Sequence, residues 1–411
     1  MTSITLKLRD LGYGGEAVGE YQGQVIFVPL GIPGETVRVE LTEVRKRYAR
    51  ARLLEVFDPS PERVAPRCRY FGFCGGCHWQ HIAYSAQLRF KRELLTSQLQ
   101  RLGKQSHPPV RPVIGMDDPW AYRNHVQLTM HPQEGLGYQA LRSHEVVAVD
   151  ECRIIHPLLE ELWAALELDP EGPPRVSLRA GVGTGEQLIL FEGDEDEPPE
   201  LELDVPVSCV YQGPRGIPIV MAGESYYCER LAGRTFRVSA PSFFQVNTAQ
   251  AERMLEVVRG HLAPQAHERL LDAYCGVGTF ALSLATQVAH VTGIESSPWP
   301  IGDALANCAD QDTVEFIQGN VEEVLPSLAA SYDGLILDPP RAGCAPTALE
   351  ALARCGASRI VYVSCDPATL ARDVAHLATS GYELVEVQPI DMFPQTYHLE
   401  SVALLRRAQQ R

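Results

Sequence analysis

At 411 residues the chain is longer than one hydrophobic core usually organises, so two or three domains are expected, each able to bury a core of its own. No apolar run approaches the roughly 18 to 20 residues that cross a bilayer, and MTSITLKLRD lacks a basic-then-apolar export pattern, which argues against a membrane protein and predicts a cytoplasmic one. The net charge of −16 weighs against a polyanionic partner for the chain as a whole, yet residues 1–150 hold 19 Lys and Arg against 15 Asp and Glu, so the acidity lies further on.

Residues 1–58 read as short β-branched runs, ITLKL, VIFVPL, TVRVEL and ARLLEVF, parted by the turns GYGGEAVG and GIPGE, a pattern that predicts a small β-barrel. The segment DPSPERVAPRC ends that unit. Residues 68–235 are mixed. A Cys-rich loop precedes a helix from about Ser85 to Leu102, strands follow near Val126–Met130 and Val146–Ala148, HPLLEELWAALEL reads as a second helix, and EQLILFE and VSCVYQ complete an antiparallel-looking α+β module. The acidic stretch from Glu186 to Asp204 reads as a solvated loop or edge.

From 236 to 411 the pattern changes. RLLDAY, HVTGIES, VEFIQGN, DGLILDPP and RIVYVSC alternate with helical stretches, which specifies an α/β sheet. No helix separates the last two runs, ELVEVQPIDMF and SVALLRR, so an antiparallel strand is expected at the sheet edge.

Within that sheet, LDAYCGVGTF is an apolar strand, a Gly-x-Gly turn and a helix start, where missing Cβ atoms let backbone approach a ligand. Glu295 follows 19 residues after Gly276, the separation that lets a strand-end acid accept from ribose hydroxyls. Phe280 and Ala281 stand where a dinucleotide fingerprint carries its third glycine, so a nucleoside without a pyrophosphate, such as S-adenosylmethionine, fits better. Asn320 and Asp338 end the next two strands, on the side where open parallel sheets bind ligands.

VYVSCDPATLARDV places Cys365 at a strand end, with Asp366 as the helix N-cap and Pro367 at the first helical position. A helix N-terminus stabilises a thiolate, and Asp366 opposes that effect. In FPQTYHLESVALL, His398 and Glu400 fall at alternate positions on one strand face, where a carboxylate serves as base for a carbon acid. Cys68, Cys74 and Cys77 form C-x5-C-x2-C, and Cys152 follows; such thiols bind zinc or an iron–sulfur cluster.

The motifs QVN, CGVGTF, DPPRAG, SCDPATLARD and YHLES, in this order and spacing, resemble the RNA uracil-5 methyltransferases. The resemblance implies a C-terminal Rossmann-like class I methyltransferase domain, a central domain and an N-terminal OB-like barrel of the TRAM type. It implies Cys365 as the nucleophile that adds to C6 of uracil and Glu400 as the base that removes the C5 proton. Gln245, Tyr274, Glu295, Asn320 and Asp338 match positions that contact S-adenosylmethionine, with Thr279, where the family often has Asn, as a weaker match. Arg341 is placed to stabilise the enolate oxygen.

On Cys68, Cys74, Cys77 and Cys152 the family carries a [4Fe–4S] cluster, expected to be structural. Arg45, Lys46, Arg47, Arg50 and Arg52 on the barrel are candidate phosphate contacts, with a solvated charged strand as the alternative, and AYRNHVQL, which also resembles a family segment, places Arg123 and Asn124 near an RNA surface. The combination of barrel and cluster points to 23S rRNA, with tRNA as the alternative substrate, and a monomer is expected. A cytosine-5 methyltransferase and a non-catalytic RNA-binding protein are the competing readings; the absence of Pro-Cys or Thr-Cys at Cys365 counts against the first, and intact Cys365 and Glu400 count against the second.

Overall fold

The computed structural model describes residues 3–166, 168, 173–200, 206–309, 311–328 and 330–408. Strands β1 (Ser3–Leu11), β2 (Ala17–Tyr21), β3 (Gln24–Val28), β4 (Thr36–Val44) and β5 (Tyr48–Asp58) close a barrel in the order β1-β2-β3-β5-β4. Strict alternation along β1 turns Ile4, Leu6 and Leu8 inward, where they meet Ile26, Val28, Val37 and Val39. The following segment folds back onto the barrel, because Arg63 pairs with the buried Glu35.

Helix α1 (Tyr84–Arg101) comes next, one residue off the expected bounds at each end. Strands β6 (His125–His131), β7 (Gly135–Gln139) and β8 (Val146–Ala148), helix α2 (Pro157–Ala164), and strands β9 (Arg175–Ala180), β10 (Gln187–Glu192), β11 (Ser208–Gln212) and β12 (Pro218–Ala222) follow. Their seven strands form a sheet in the order β12-β11-β10-β9-β6-β7-β8. The expected antiparallel module needs one correction: β10 and β11 run parallel. The acidic connection 193–207 is long enough to carry the chain back to the starting end, which a tight hairpin cannot do. Of the acidic stretch, Gln187–Glu192 is this strand and the Asp194–Glu197 turn is exposed, while 201–204 lie outside the described residues.

Hairpin β13 (Tyr226–Leu231) and β14 (Arg234–Ser239) leads into α3 (Thr248–Leu262). Then β15 (Arg269–Ala273), α4 (Thr279–Leu284), β16 (His290–Glu295), α5 (Pro298–Asn307), β17 (Val314–Gln318), α6 (Val321–Val324), β18 (Gly334–Leu337), α7 (Pro346–Arg354), β19 (Arg359–Ser364) and α8 (Pro367–Thr379) alternate as expected. Strands β20 (Tyr382–Ile390) and β21 (Glu400–Arg407) complete a sheet in the order β17-β16-β15-β18-β19-β21-β20. The antiparallel strand is β21, and it lies inside the sheet between β19 and β20, not at the edge. The edge strand β20 is covered in turn by residues 109–114, where Arg111 and Ile114 N–H donate to the carbonyls of Val387 and Pro389, 2.9 Å each.

Two apolar layers cover the two faces of this sheet. One contains Leu188 and Leu190 of β10 beside Val258 of α3 and Ile336 of β18, so the central sheet shares a core with the C-terminal one. Helix α1 packs on α8, the helix that follows Cys365. Among the described residues no helix is long and apolar enough to cross a membrane.

Candidate active site

Strands β19 and β21 pair in register with Ser364 opposite Ser401. Beyond that pair Cys365 follows β19 and Glu400 opens β21, near enough for the Glu400 carboxyl to act on the Cys365 thiol, so the antiparallel pairing brings together two residues 35 positions apart. Burial pushes the Cys365 thiol up to about 12, helped by the nearby Glu400 and Asp338 and opposed by Arg341. Glu400 is only 4% exposed, and burial, then Asp338, hold its carboxyl well above the ordinary range. At the α8 N-terminus Asp366 Oδ1 accepts from Ala368 and Thr369 N–H at 3.0 Å, so the residue expected to oppose the helix N-terminus also caps it. The thiol is therefore neutral at rest.

The expected strand face shared by His398 and Glu400 is not formed, since β21 starts only at Glu400. His398 lies in the preceding loop, stacked 4.2 Å from Tyr397 between ring centroids, and burial with nearby cations lowers its pKa to about 3. That loop is anchored deeply. Lys91 of α1 donates to Asp391 and to the Phe393 carbonyl, and both partners of the ion pair are fully buried. Gln87 donates to Gln395 Oε1 at 3.0 Å, and Asn247 at the α3 N-cap donates to the Met392 carbonyl at 3.2 Å.

The carboxyl ends of β15 to β18 carry the residues expected at the cofactor. Tyr274 follows β15 with φ +67°, Gly276 follows with φ +55°, and nothing lies within 4 Å of where a Gly276 Cβ would sit. Glu295 ends β16, and its two oxygens accept from Gly276 and Ser297 N–H at 3.1 and 2.8 Å. Asp338 follows β18 and titrates near 7, raised by burial and then by Glu295. Thr279 opens α4 and Gln245 lies just before the Asn247 cap, both partly buried, whereas Asn320 is exposed and donates to Glu323 at 3.1 Å. Asp272, buried in mid-β15, holds Ala281 N–H at 2.9 Å while its Oδ1 has no hydrogen-bond partner; burial, then Asp338 and Glu295, raise its pKa. This crevice concentrates carboxyl groups, so it suits a cationic nucleoside such as a sulfonium and repels a pyrophosphate.

Cys68, Cys74, Cys77 and Cys152 come together around one cavity of about 380 Å³, which also reaches Arg123, Arg341, Cys365 and His398. Burial raises the thiol pKa values of Cys74, to about 11, and of Cys77 and Cys152. Among the described residues, no three Cys, His, Asp or Glu side chains are arranged to hold a metal ion between them. Asn124 departs from its expected place at an RNA surface: it is 2% exposed and donates to Thr248 Oγ1 at 2.9 Å and to the Gln245 carbonyl at 3.2 Å, bracing the QVN segment. Of the basic barrel residues, Arg45, Arg50 and Arg52 are paired with Glu43, Glu16 and Glu40, while Lys46 and Arg47 are exposed in the β4–β5 turn.

A family profile described as tRNA (Uracil-5-)-methyltransferase matches residues 224–408, and one described as TRAM domain matches residues 2–54. An uncharacterised RNA methyltransferase of Thermosynechococcus vestitus is 39% identical, with 98% of both chains covered. Another, of Halalkalibacterium halodurans, is 36% identical over 98% of this chain and 96% of its own. The chain belongs to the S-adenosylmethionine-dependent RNA uracil-5 methyltransferase family. The crystal structure of Pyrococcus abyssi tRNA (uracil-54, C5)-methyltransferase in complex with S-adenosyl-L-homocysteine matches with a TM-score of 0.79 at 29% identity, covering 98% of this chain and 99% of that one.

Against this methyltransferase frame, three features escaped the sequence reading. Asp272 had a usable signal, an acid inside the buried run RLLDA, which costs free energy unless it serves something. Lys91 had one as well, a charge on the helix face that carries Leu94 and Leu95. The third, a contact from the barrel loop to the residue beside Cys365, joins positions 353 apart and left no local trace.

Proposed function

We propose that this methyltransferase transfers a methyl group to C5 of a uridine in RNA through a covalent adduct with Cys365. The observation that carries the reading is Cys365 directly after β19 and Glu400 at the start of the paired strand β21, with Asp338 acting electrostatically on both. C5 of uracil is a poor nucleophile. The Cys365 thiol gives its proton to solvent and the thiolate adds to C6, making C5 an enolate carbon, which takes the methyl group and releases S-adenosylhomocysteine. Arg341 supplies positive charge for the sulfur and the enolate oxygen. Glu400, acting as the carboxylate, then takes the C5 proton, and the electron pair expels the Cys365 thiolate from C6 and restores the ring; a proton from solvent restores the thiol.

S-Adenosylmethionine supplies an electrophilic methyl group, and its positive charge suits a crevice where Asp272, Asp338 and Glu295 crowd one another. Gln245, Tyr274, Thr279, Glu295, Asn320 and Asp338 are the residues proposed to hold it. Cys68, Cys74, Cys77 and Cys152 are proposed ligands of a structural [4Fe–4S] cluster. Their common cavity supports the donor set, and thiolates on four separate irons need not converge as they must on one zinc ion at about 2.3 Å. Three units are proposed, 1–58, 68–235 and 236–411, with hairpin β13–β14 bridging the second boundary. The substrate proposed is 23S rRNA, on the combination of barrel and four cysteines. The tRNA reading is favoured by the solved tRNA methyltransferase that matches along the whole chain.

The test uses two variants. Cys365→Ala is expected to abolish methyl transfer, and retained turnover overturns the covalent scheme. Glu400→Gln is expected to accumulate a protein–RNA adduct stable to denaturing electrophoresis. Mapping 5-methyluridine in ribosomal and transfer RNA from a strain lacking the gene decides the substrate.

A further inference from the structure

The loop between β1 and β2 of the barrel reaches into the active site. Tyr13 donates its hydroxyl to Asp366 Oδ2, on the residue directly after Cys365. Tyr13 also shares a narrow recess with Arg341, Cys365, Tyr397 and His398. Burial, then Asp366, push its hydroxyl pKa above the ordinary tyrosine value, so Tyr13 keeps its proton and is the donor to Asp366 Oδ2.

The loop is built to deliver that side chain. Gly12 N–H donates to the Glu16 carbonyl at 2.7 Å and Gly15 N–H to the Gly12 carbonyl at 2.9 Å, which closes a tight turn around Tyr13. Trp79 Nε1 donates to the Gly15 carbonyl at 2.8 Å, and the Glu16 carboxylate is held by Arg50 at 2.9 Å and by Arg142. Gly15 has φ +79°, and a Cβ there would sit 2.6 Å from the Tyr397 ring. Only glycine allows so close an approach to the catalytic loop.

Asp366 faces two cations' worth of demand with one carboxylate. Its Oδ1 caps α8, and its Oδ2 lies 3.7 Å from Arg341 Nε, too far for a hydrogen bond. Arg341 in turn stays charged despite desolvation, beside Tyr397, Asp366 and the Cys365 sulfur. The groups that face Cys365 are thus Glu400 from β21, Asp338 from the end of β18, Arg341 from the loop after it, Asp366 from α8, and His398, Tyr397, Tyr13 and Lys91 across the recess.

We propose that Tyr13 is a positioning residue for the nucleophile: by occupying Asp366 Oδ2 it keeps Arg341 from collapsing onto Asp366 and leaves the guanidinium facing Cys365. The barrel thereby takes part in setting the charge around the thiol, in addition to any contact with RNA. This rests on the assignment of Cys365 as nucleophile, and the test separates the two.

The full-length protein is treated with iodoacetamide across a pH range, and alkylation of the Cys365 peptide is followed by mass spectrometry. Tyr13→Phe keeps the ring and removes the hydroxyl. It is expected to slow alkylation about tenfold at a pH below the midpoint, a shift of about one pH unit upward, since each unit is a tenfold change in the thiolate fraction. Asp366→Asn is expected to shift the midpoint downward, and adding Tyr13→Phe to it is expected to do nothing more, because no carboxylate is left to draw Arg341 away. Identical profiles for wild type and Tyr13→Phe overturn the proposal, as does an equal shift in the Asp366→Asn background. The measurement needs no turnover. If Cys365→Ala still methylates RNA, the nucleophile assignment fails while the alkylation profiles still decide the role of Tyr13.

Discussion

Two groups of cysteines meet at one cavity, and the protein holds them by different means. Cys365 directly follows Ser364, the last paired residue of β19, which a seven-stranded sheet holds opposite Ser401 of β21. Cys68, Cys74, Cys77 and Cys152 sit on loops joined by isolated bridges, such as Cys74 to Ala140 and Arg123 to Ile155. A rung is enforced by every other rung of its sheet, whereas the loop thiols are held by a few local bonds, such as Cys74 N–H to the Tyr70 carbonyl and Cys68 N–H to Gln80 Oε1. Cys365 therefore gains more geometric definition from the sheet than the four loop thiols gain from theirs.

That contrast can be broken first at the 391–399 loop, which leads into Glu400. Lys91→Met leaves Asp391 buried without its partner and is expected to destabilise the protein by roughly 3–5 kcal/mol. The denaturant midpoint measures it. Lys91→Met with Asp391→Leu should recover much of the loss, and a single variant as stable as wild type would mean that the 391–399 loop is not held from α1. Next in size is Cys77→Ser. Bound iron is expected to fall to background, and amide exchange in residues 68–80 to rise at least about tenfold, as local opening with little change in global stability does. Exchange in β19 and β21 is expected to stay as it was; equal loss in those strands would erase the distinction between ladder and loop.

Much of this was legible in the sequence, and the limits have physical causes. The alternation in ITLKL and the strand-ending motifs CGVGTF, DPP and SCDP report local periodicity and turn chemistry, which one stretch of chain carries by itself. Strand order is different: the place of β21 between β19 and β20 depends on which edges pair, and no local pattern encodes it. The same holds for the parallel pairing of β10 with β11, which needed the length of 193–207 to be weighed. For Cys365 the sequence set the helix N-terminus against Asp366 and left the balance open; in the fold the N-cap carboxylate takes the Ala368 and Thr369 N–H groups and burial raises the thiol pKa. Asn124 looked like a surface amide and proved to be a brace, since burial follows from the partners across the fold.

A smaller effect tests the acidic crevice. Asp338 has a folded pKa of about 7, above its unfolded value near 4. Between those values the folded state binds a proton that the unfolded state has lost, so this group lowers stability as pH rises through that window and adds no further slope above it. The slope is at most about 1.4 kcal/mol per pH unit for one group. Asp338→Asn should flatten the fall in denaturant midpoint between about pH 4 and 7 relative to wild type. Parallel curves would mean that Asp338 titrates like an exposed carboxyl.

The smallest expected effect concerns the barrel, where most cationic charge is already spent. Arg45 and Arg52 face Glu43 and Glu40, so their replacement removes a surface ion pair more than an RNA contact, while Arg50 is held to the buried Glu16. Lys46 and Arg47 stand exposed in the turn between β4 and β5. If they meet phosphates, Lys46→Ala with Arg47→Ala should weaken RNA binding evenly across sequences and reduce the salt slope by about 0.7 for each contact with a single strand. Arg52→Ala should change that slope least, because Glu40 already occupies its guanidinium at 2.6 Å. The reverse ranking would show that RNA pulls Arg52 away from Glu40, and that this acidic chain gains its affinity by exchanging internal partners for phosphates.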